Sequence, residues 1–531
     1  MADGVRQVAY ERRWWVLLVL SASVFLVVVD NLIVNIALPT LQRELDATTT
    51  ALQWIVDAYA LVFACLLLAG GGLGDRLGRK RALQAGLVLF ALCSGFAAFA
   101  GTSGGLIFWR GAMGIGAALV FPSTLAIITN LFTDPVERAK AIGLWSAVSG
   151  MAVAFGPVAG GILLEHFWWG SVFLINIPIV AIALVAGHFL IPDSRDEHSG
   201  PFDAVGLVLS VLAIGGLVFT VIESPHWGWG SARSSAGFAL AALALGLFVR
   251  YESRRPHPLL DVTFFRNARF SAATGSIGIA FFSLFGFTFL VTQYFQFVRG
   301  YDPLESGVRT LPFAVGAGIT APLAARAALR WGTTRVVALG LANMAAGFFV
   351  VSRIDAGTAY FGPVVGAMLL IATGLSLVTS PSTEAVMGSL PLDKAGVGSA
   401  VNDVSREVGG TLGVAVTGSV FLSLYAPRVA DSFGAVPGLV EALPPGVVEQ
   451  ARDSVGAAYV VAGNAPEIVR PQALAAVADS FMHGFGTACL IAAATALAGS
   501  VLALLFLPPR AATADLASGR RAGRAPRTVA P

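Results

Sequence analysis

Fourteen predominantly apolar runs, each of roughly 19 to 30 residues, follow one another along this chain. They fall at 14–37, 51–72, 82–101, 105–131, 139–163, 170–191, 203–223, 233–251, 270–298, 306–330, 334–352, 359–381, 396–425 and 482–507. A run of about 20 apolar residues crosses a bilayer as a helix, because a helix closes its own backbone hydrogen bonds where no water can. Repetition on this scale leaves little else to fold into. Of the 531 residues, 56% are hydrophobic and 12% charged, whereas a soluble domain carries about 25% charged residues. The reading is an all-α polytopic membrane protein.

An even number of spans puts both termini on one side. Roughly 24 of the 34 Lys and Arg fall in the tails and the alternate links of that side, which the positive-inside rule makes cytoplasmic. The first run follows "MADGVRQVAYERRWW" without a small-residue cleavage site, so it is expected to be a retained helix. The low Lys and high Ala, Gly and Arg usage points to a GC-rich bacterial genome, hence to the inner membrane. The expected organisation is a cytoplasmic tail (1–13), a six-helix bundle (14–191), two extra linker helices (203–251), a basic cytoplasmic linker (252–269) and a second six-helix bundle (270–507). The second bundle carries an external loop at 426–481, with one or two surface helices, and a disordered tail follows (508–531).

The energy source is narrowed by elimination. A phosphate-cradling loop needs a lysine after a glycine, and Lys80, Lys140 and Lys394 follow Arg, Ala and Asp. No hydrolytic constellation stands outside the spans, so the chain reads as no enzyme and as needing no ATPase subunit. Cys65, Cys93 and Cys489 sit in apolar runs at spacings that fit neither a metal site nor a disulfide framework. A channel, a gradient-driven transporter or a receptor-like protein remains.

The link "GGLGDRLGRKR", Gly71 to Arg81, is on its face a basic tight turn that fixes topology. Its order, with Asp75, Arg76, Gly78, Arg79 and Lys80, resembles the signature loop of the major facilitator superfamily, whose charged groups clamp neighbouring helix ends and set the conformational equilibrium. "ALRWGTTR" (Ala328 to Arg335) looks like a decayed copy without the acid, as internal repeats allow. "WRGAMGIGAA" around Arg110 resembles the family's fourth-helix motif. "GMAVAFGPVAGGIL", with Gly150, Gly156, Pro157, Gly160 and Gly161, offers a seam of small residues. Its GPxxGG pattern resembles the fifth-helix motif of the superfamily's antiporters rather than of its uptake systems.

With "VDNLIVNIALP", "VFLINIPI", "PHPLLDVTFFR" and "REVGGTLGVAVTGSV", the chain resembles the fourteen-helix drug:proton antiporter branch along nearly its whole length. It departs at Trp169-Gly170-Ser171, where the family shows Trp-Arg-Trp, and the likeness is weakest over 426–481. The resemblance implies the major facilitator fold, two six-helix bundles plus two extra central helices, and export of lipophilic, cationic drugs or antibiotics in exchange for protons. A dedicated exporter of one endogenous metabolite (a self-made antibiotic, lipid or siderophore) is the alternative.

Asp30 interrupts the first run, and a carboxylate at bilayer depth costs at least about 2.5–3.5 kcal/mol. At about 1.5 Å per residue, Asp30 lies about 10–12 Å inside the external end of its span, Asp57 near 9 Å and Arg110 near 8 Å. Two acids beside one guanidinium at a shared depth can hold charge and exchange protons. Asp30 is expected to be the primary coupling residue, Asp57 a second titratable group or substrate contact, and Arg110 the group that biases both. Protons are the coupling ion, with no other cofactor and no metal.

Asp403, Arg406 and Glu407 stand at i, i+3 and i+4 early in the thirteenth run and read as a gate or structural pair near the cytoplasmic face. Glu223 reads as interfacial and Glu384 as wet. Candidate cavity residues are Trp54, Tyr59, Phe121, Phe285, Gln293 and Tyr294, since a promiscuous site wants large apolar walls with few polar fixtures. The partners expected are small lipophilic substrates and membrane lipids, with no nucleic acid, and the protein is expected to be a monomer.

Overall fold

The computed structural model describes residues 11–194, 203–256, 258–390, 395–436, 439 and 446–508, and within these no strand occurs. Among the described residues fourteen long helices run in sequence: α1 Arg13–Glu44, α2 Thr49–Leu77, α3 Arg79–Ala98, α4 Ser103–Leu131, α5 Pro135–His166, α6 Ser171–Leu190, α7 Ala204–Trp227 and α8 Ala232–Glu252. They continue with α9 Ala268–Val298, α10 Pro303–Trp331, α11 Thr333–Val351, α12 Tyr360–Met387, α13 Ala395–Ala435 and α14 Arg470–Phe506. Thirteen are long and apolar enough to span a bilayer among the described residues. The remaining one, α5, is 32 residues long with its side chains described only in part. Both described ends of the chain lie on one side, here the terminal side; the opposite is the far side.

Two helical repeats are visible in the backbone. α2 passes into α3 through Gly78 alone, at φ +109°, and α10 passes into α11 through Gly332 alone, at φ +86°. A side chain would be strained at either turn. The matching pairs α3–α4 and α11–α12 close on glycines. A Cβ on Gly86 would stand 2.8 Å from the Gly116 carbonyl oxygen, and one on Gly340 would stand 2.7 Å from that of Gly374. Small residues are what let apolar helices approach when lipid offers no hydrophobic drive for association.

The extra helices α7 and α8 pack on each other, and α7 lies against both α2 and α13. Val218, Val221 and Ile222 bury there beside Trp54 and Ala415. The Ser419 hydroxyl donates to the Val221 carbonyl at 2.9 Å. Thr50 and His226 share a 2.8 Å hydrogen bond.

Two expectations about length need correction. The first helix does not stop near residue 37, where its apolar run fades, but runs to Glu44, so Asp30 stands roughly 21 Å from the far end of the helix. Pro39 is tolerated within it. The external segment is also shorter than 426–481, because α13 continues to Ala435 and α14 already begins at Arg470. "PGVVEQARDSVGAAYVV" forms two short helices, Val447–Asp453 and Val455–Gly463, while "PQALAAVADSF" is the first part of α14.

On the far side the two halves are joined closely. A Cβ on Gly161 of α5 would meet the Leu304 Cα of α10 at 2.6 Å, and one on Gly307 would meet the Pro157 carbonyl oxygen at 2.4 Å. Gln53 of α2 donates to the Ala415 carbonyl of α13 at 3.2 Å, and Gln296 of α9 donates to the Ile36 carbonyl of α1 at 2.9 Å.

Candidate functional site

A buried polar knot occupies the centre of the N-terminal half. The Arg110 Nη1 donates to Asp30 Oδ2 at 2.5 Å, its Nε donates to the Ile55 carbonyl at 3.1 Å, and its guanidinium lies 4.3 Å from the Tyr59 ring centroid. Asp30 and Arg110 are both 0% exposed. The second carboxylate oxygen, Oδ1, accepts from Asn176 Nδ2 at 2.7 Å, and the same amide reaches Ser94 Oγ at 3.0 Å. Tyr59 is fixed in turn by donating to the Val27 carbonyl at 3.2 Å.

Asn176 stands early in α6, two residues before Pro178. Pro178 has no N–H to give the Leu174 carbonyl, so one backbone hydrogen bond is missing there, while Ile175 keeps right-handed helical dihedrals (φ −59°, ψ −25°) and the helix carries on. An ion pair removed this thoroughly from water is tolerable when its remaining lone pairs and donors are satisfied. Both Asp30 oxygens are; one Arg110 nitrogen, Nη2, is left without a partner.

Asp57 does not join the knot. It is 0% exposed, and neither of its oxygens has a hydrogen-bond partner. Shared depth along the helices does not settle azimuth, and α2 presents Tyr59, not Asp57, to Arg110.

Between the halves lies a cavity of about 260 Å³. Val27, Val28 and Asn31 of α1, Phe63 of α2, Phe121 of α4 and Trp145 of α5 line one wall; Phe281 and Phe285 of α9, Phe313 and Leu375 face them. The secondary charge cluster is here as well. Asp403, Arg406 and Glu407, the gate or structural pair expected near the cytoplasmic face, line the cavity. Asp403 Oδ1 is 3.9 Å from Arg406 Nη1 and accepts from Asn402 Nδ2 at 3.3 Å, while Thr383 steadies Asn402 at 2.9 Å. Arg406 lies 4.6 Å over the Phe281 ring, and Glu407 Oε2 has no partner.

Of the six cavity candidates, Phe121 and Phe285 line it. The other four point elsewhere. Trp54 faces α7, donating to Glu223 at 3.4 Å. Tyr59 belongs to the Arg110 knot. Gln293 folds back on the Phe289 carbonyl at 3.2 Å, and Tyr294 stacks on Phe485 at 5.6 Å inside the C-terminal half. Phe63 and Trp145 were missed. Asn176 was missed too, although it stands in the quoted "VFLINIPI".

A sequence model described as Major Facilitator Superfamily matches residues 20–414. The chain belongs to the Major Facilitator Superfamily. It is a membrane transporter of that superfamily, with the superfamily's all-helical fold. It is 35% identical over 491 residues to the multidrug efflux pump LfrA of Mycolicibacterium smegmatis, covering 92% of this chain and 95% of that one. It is also 35% identical over 509 residues to a tetracenomycin C resistance and export protein of Streptomyces glaucescens, covering 95% and 92%. Among solved structures, a bacterial homologue of the human lysosomal transporter Spinster, inward-facing and unoccupied, shares the fold with a TM-score of 0.63 at 17% identity. That match covers 94% of this chain and 98% of the other.

Two superfamily motifs can now be placed. In the α2–α3 loop, Arg79 Nη1 donates to the Ala126 carbonyl on α4 at 3.4 Å, and Lys80 Nζ donates to the His188 carbonyl on α6 at 2.8 Å. These bonds tie one turn to two further helix ends. Arg76 is exposed, Gly71 lies against Pro122, and the Asp75 side chain lies outside the described residues. In α5 the glycines divide by partner. Gly156 and Gly160 take up Leu32 and Ile33 of α1, whereas Gly161 and Pro157 meet α10 of the other half. The surroundings of Gly150 lie outside the described residues.

Proposed function

We propose that this transporter is a proton-coupled antiporter that exports lipophilic, cationic drugs or antibiotics across the bacterial inner membrane, with both termini cytoplasmic. The observation that carries the reading is the cavity. Aromatic walls from both halves enclose Asp403 and Glu407, and Asn31, next in sequence to the buried Asp30, lines the same cavity. A flat cation gains from ring faces and from carboxylates together. The names of the relatives above, a multidrug efflux pump and an antibiotic export protein, support the same class.

On this reading the steps run as follows. The two halves are closely joined on the far side, and on this reading drug loads into the cavity from the cytoplasmic side. Asp30, with both oxygens accepting hydrogen bonds, is arranged as the ionised carboxylate. Opening toward the outside lets a proton reach it; the neutral acid no longer holds Arg110, which turns to another partner while the drug leaves. Return to the inward state releases the proton. Asp57, buried with neither oxygen hydrogen-bonded, serves as a second proton carrier. The chain works as a monomer on protons alone, with lipid and substrate as its partners and no catalytic chemistry.

The test is drug-driven collapse of a preset pH gradient in everted vesicles, with ethidium as probe. Collapse by wild type and none by Asp30→Asn supports the reading. Silence of wild type with ethidium and with other lipophilic cations overturns cation export.

A further inference from the structure

At the terminal-side end of the extra helix pair stand two buried carboxylates that no step above uses. Asp203 precedes α7, and its Oδ1 accepts from the Gly206 N–H at 2.9 Å and the Tyr251 hydroxyl at 3.1 Å. Glu252 is the last residue of α8, and its Oε2 accepts from the Leu260 N–H at 3.0 Å. That bond fastens the returning linker to the helix end. The two residues are 5% and 2% exposed.

The other oxygen of each, Asp203 Oδ2 and Glu252 Oε1, has no hydrogen-bond partner. Both point over Gly206, where a Cβ would stand 3.1 Å from the first and 2.1 Å from the second. The orphaned oxygens therefore lie within about 5 Å of each other, a range at which two carboxylates strongly oppose joint ionisation. Among the described residues the charged and titratable groups facing them are Arg255 and Tyr251. Arg255 is 3.9 Å from Asp203 Oδ2 with its side chain 46% exposed, and Tyr251 is a neutral donor. One half-wet guanidinium does not balance two buried carboxylates. A divalent cation would need about six oxygen ligands, and no cluster of three or more His, Cys, Asp or Glu exists among the described residues to supply them.

We propose that Glu252 carries a proton which it donates to Asp203 Oδ2, and that this proton keeps the linker between α8 and α9 fastened to the extra helices through the Leu260 N–H. The pair is a proton site outside the translocation path. The linker is the tether between α8 and the C-terminal half. Loss of the proton leaves two facing carboxylates, swings Glu252 toward water and frees the Leu260 N–H.

The test is hydrogen exchange of the 253–267 segment in the full-length protein in nanodiscs, from pH 6 to pH 9, corrected for intrinsic exchange. Wild type should lose protection at least tenfold on alkalinisation. Glu252→Gln, whose amide both accepts from Leu260 and donates to Asp203, should keep it across the range; so should Asp203→Asn. Protection that is flat with pH in wild type, or that falls equally in both variants, overturns the proposal. Restoration of wild-type protection at high pH by millimolar magnesium or calcium overturns it in favour of a metal ion.

Discussion

Asn176 donates to the one carboxylate oxygen of Asp30 that Arg110 leaves free. The two donors come from different helices, α6 and α4, onto a carboxylate carried by a third. Asp30 is thus held at the meeting point of three helices, and a change in its charge is felt by all of them.

Neutralising Asp30 alone should damage both stability and coupling. Asp30→Asn strands a buried guanidinium, a change that costs about 3–5 kcal/mol where a pair is broken on one side. Pairing it with Arg110→Gln should restore most of the thermal stability in detergent and none of the drug-driven proton flux. Recovery of flux in the double variant would show the pair to be structural.

Asn176→Leu leaves Asp30 Oδ1 buried without a donor, at a cost of about 1–3 kcal/mol. Ser94→Ala should cost less, because Ser94 touches Asp30 only through that amide. Thermal unfolding of the two variants side by side checks the order, and equal losses would contradict the geometry.

Glu407→Gln and Asp403→Asn should weaken binding of a cationic dye by tenfold or more and leave a neutral lipophile of similar size within about threefold, since each 1.4 kcal/mol is a factor of ten. Fluorescence titration on purified protein separates the two ligands. An equal loss for both would assign the acids to structure.

Gly307→Val places side-chain atoms where the Pro157 carbonyl oxygen already stands, 2.4 Å from the Cβ position. The far-side seam should then open more often. A cysteine at Asn31, on the cavity wall, should react several-fold faster with a membrane-impermeant maleimide added from outside. An unchanged rate in a folded variant would move the bolt to Gln53 and Gln296.

The helix count and the superfamily were legible in the sequence because lipid demands long apolar runs and because the turn between α2 and α3 carries its charges in a recognisable order. Depth was legible only in part. Glu44 ends a helix whose apolar stretch fades near residue 37, and hydropathy marks the bilayer edge, not the end of the backbone hydrogen bonds. Azimuth was hardly legible at all. These helices are apolar around most of their circumference, so no stripe separates Phe63, which lines the cavity, from Trp54, which faces α7. Asn176 is one polar side chain in an apolar run, and that it meets Asp30 rather than a backbone carbonyl is decided only by packing.

The 41 residues of α13 amount to roughly 61 Å of helix, about twice the thickness of the hydrocarbon core. With the orientation proposed above, its last turns and the first turns of α14 stand clear of the outer leaflet, braced by the Arg428–Asp479 pair at 2.8 Å and capped by the two short helices. A transporter of this family otherwise offers little outside the lipid for another molecule to grip. This stalk is a ready fiducial for imaging and an epitope reachable on intact cells, and its tilt would report the rocking of the C-terminal half from outside the membrane.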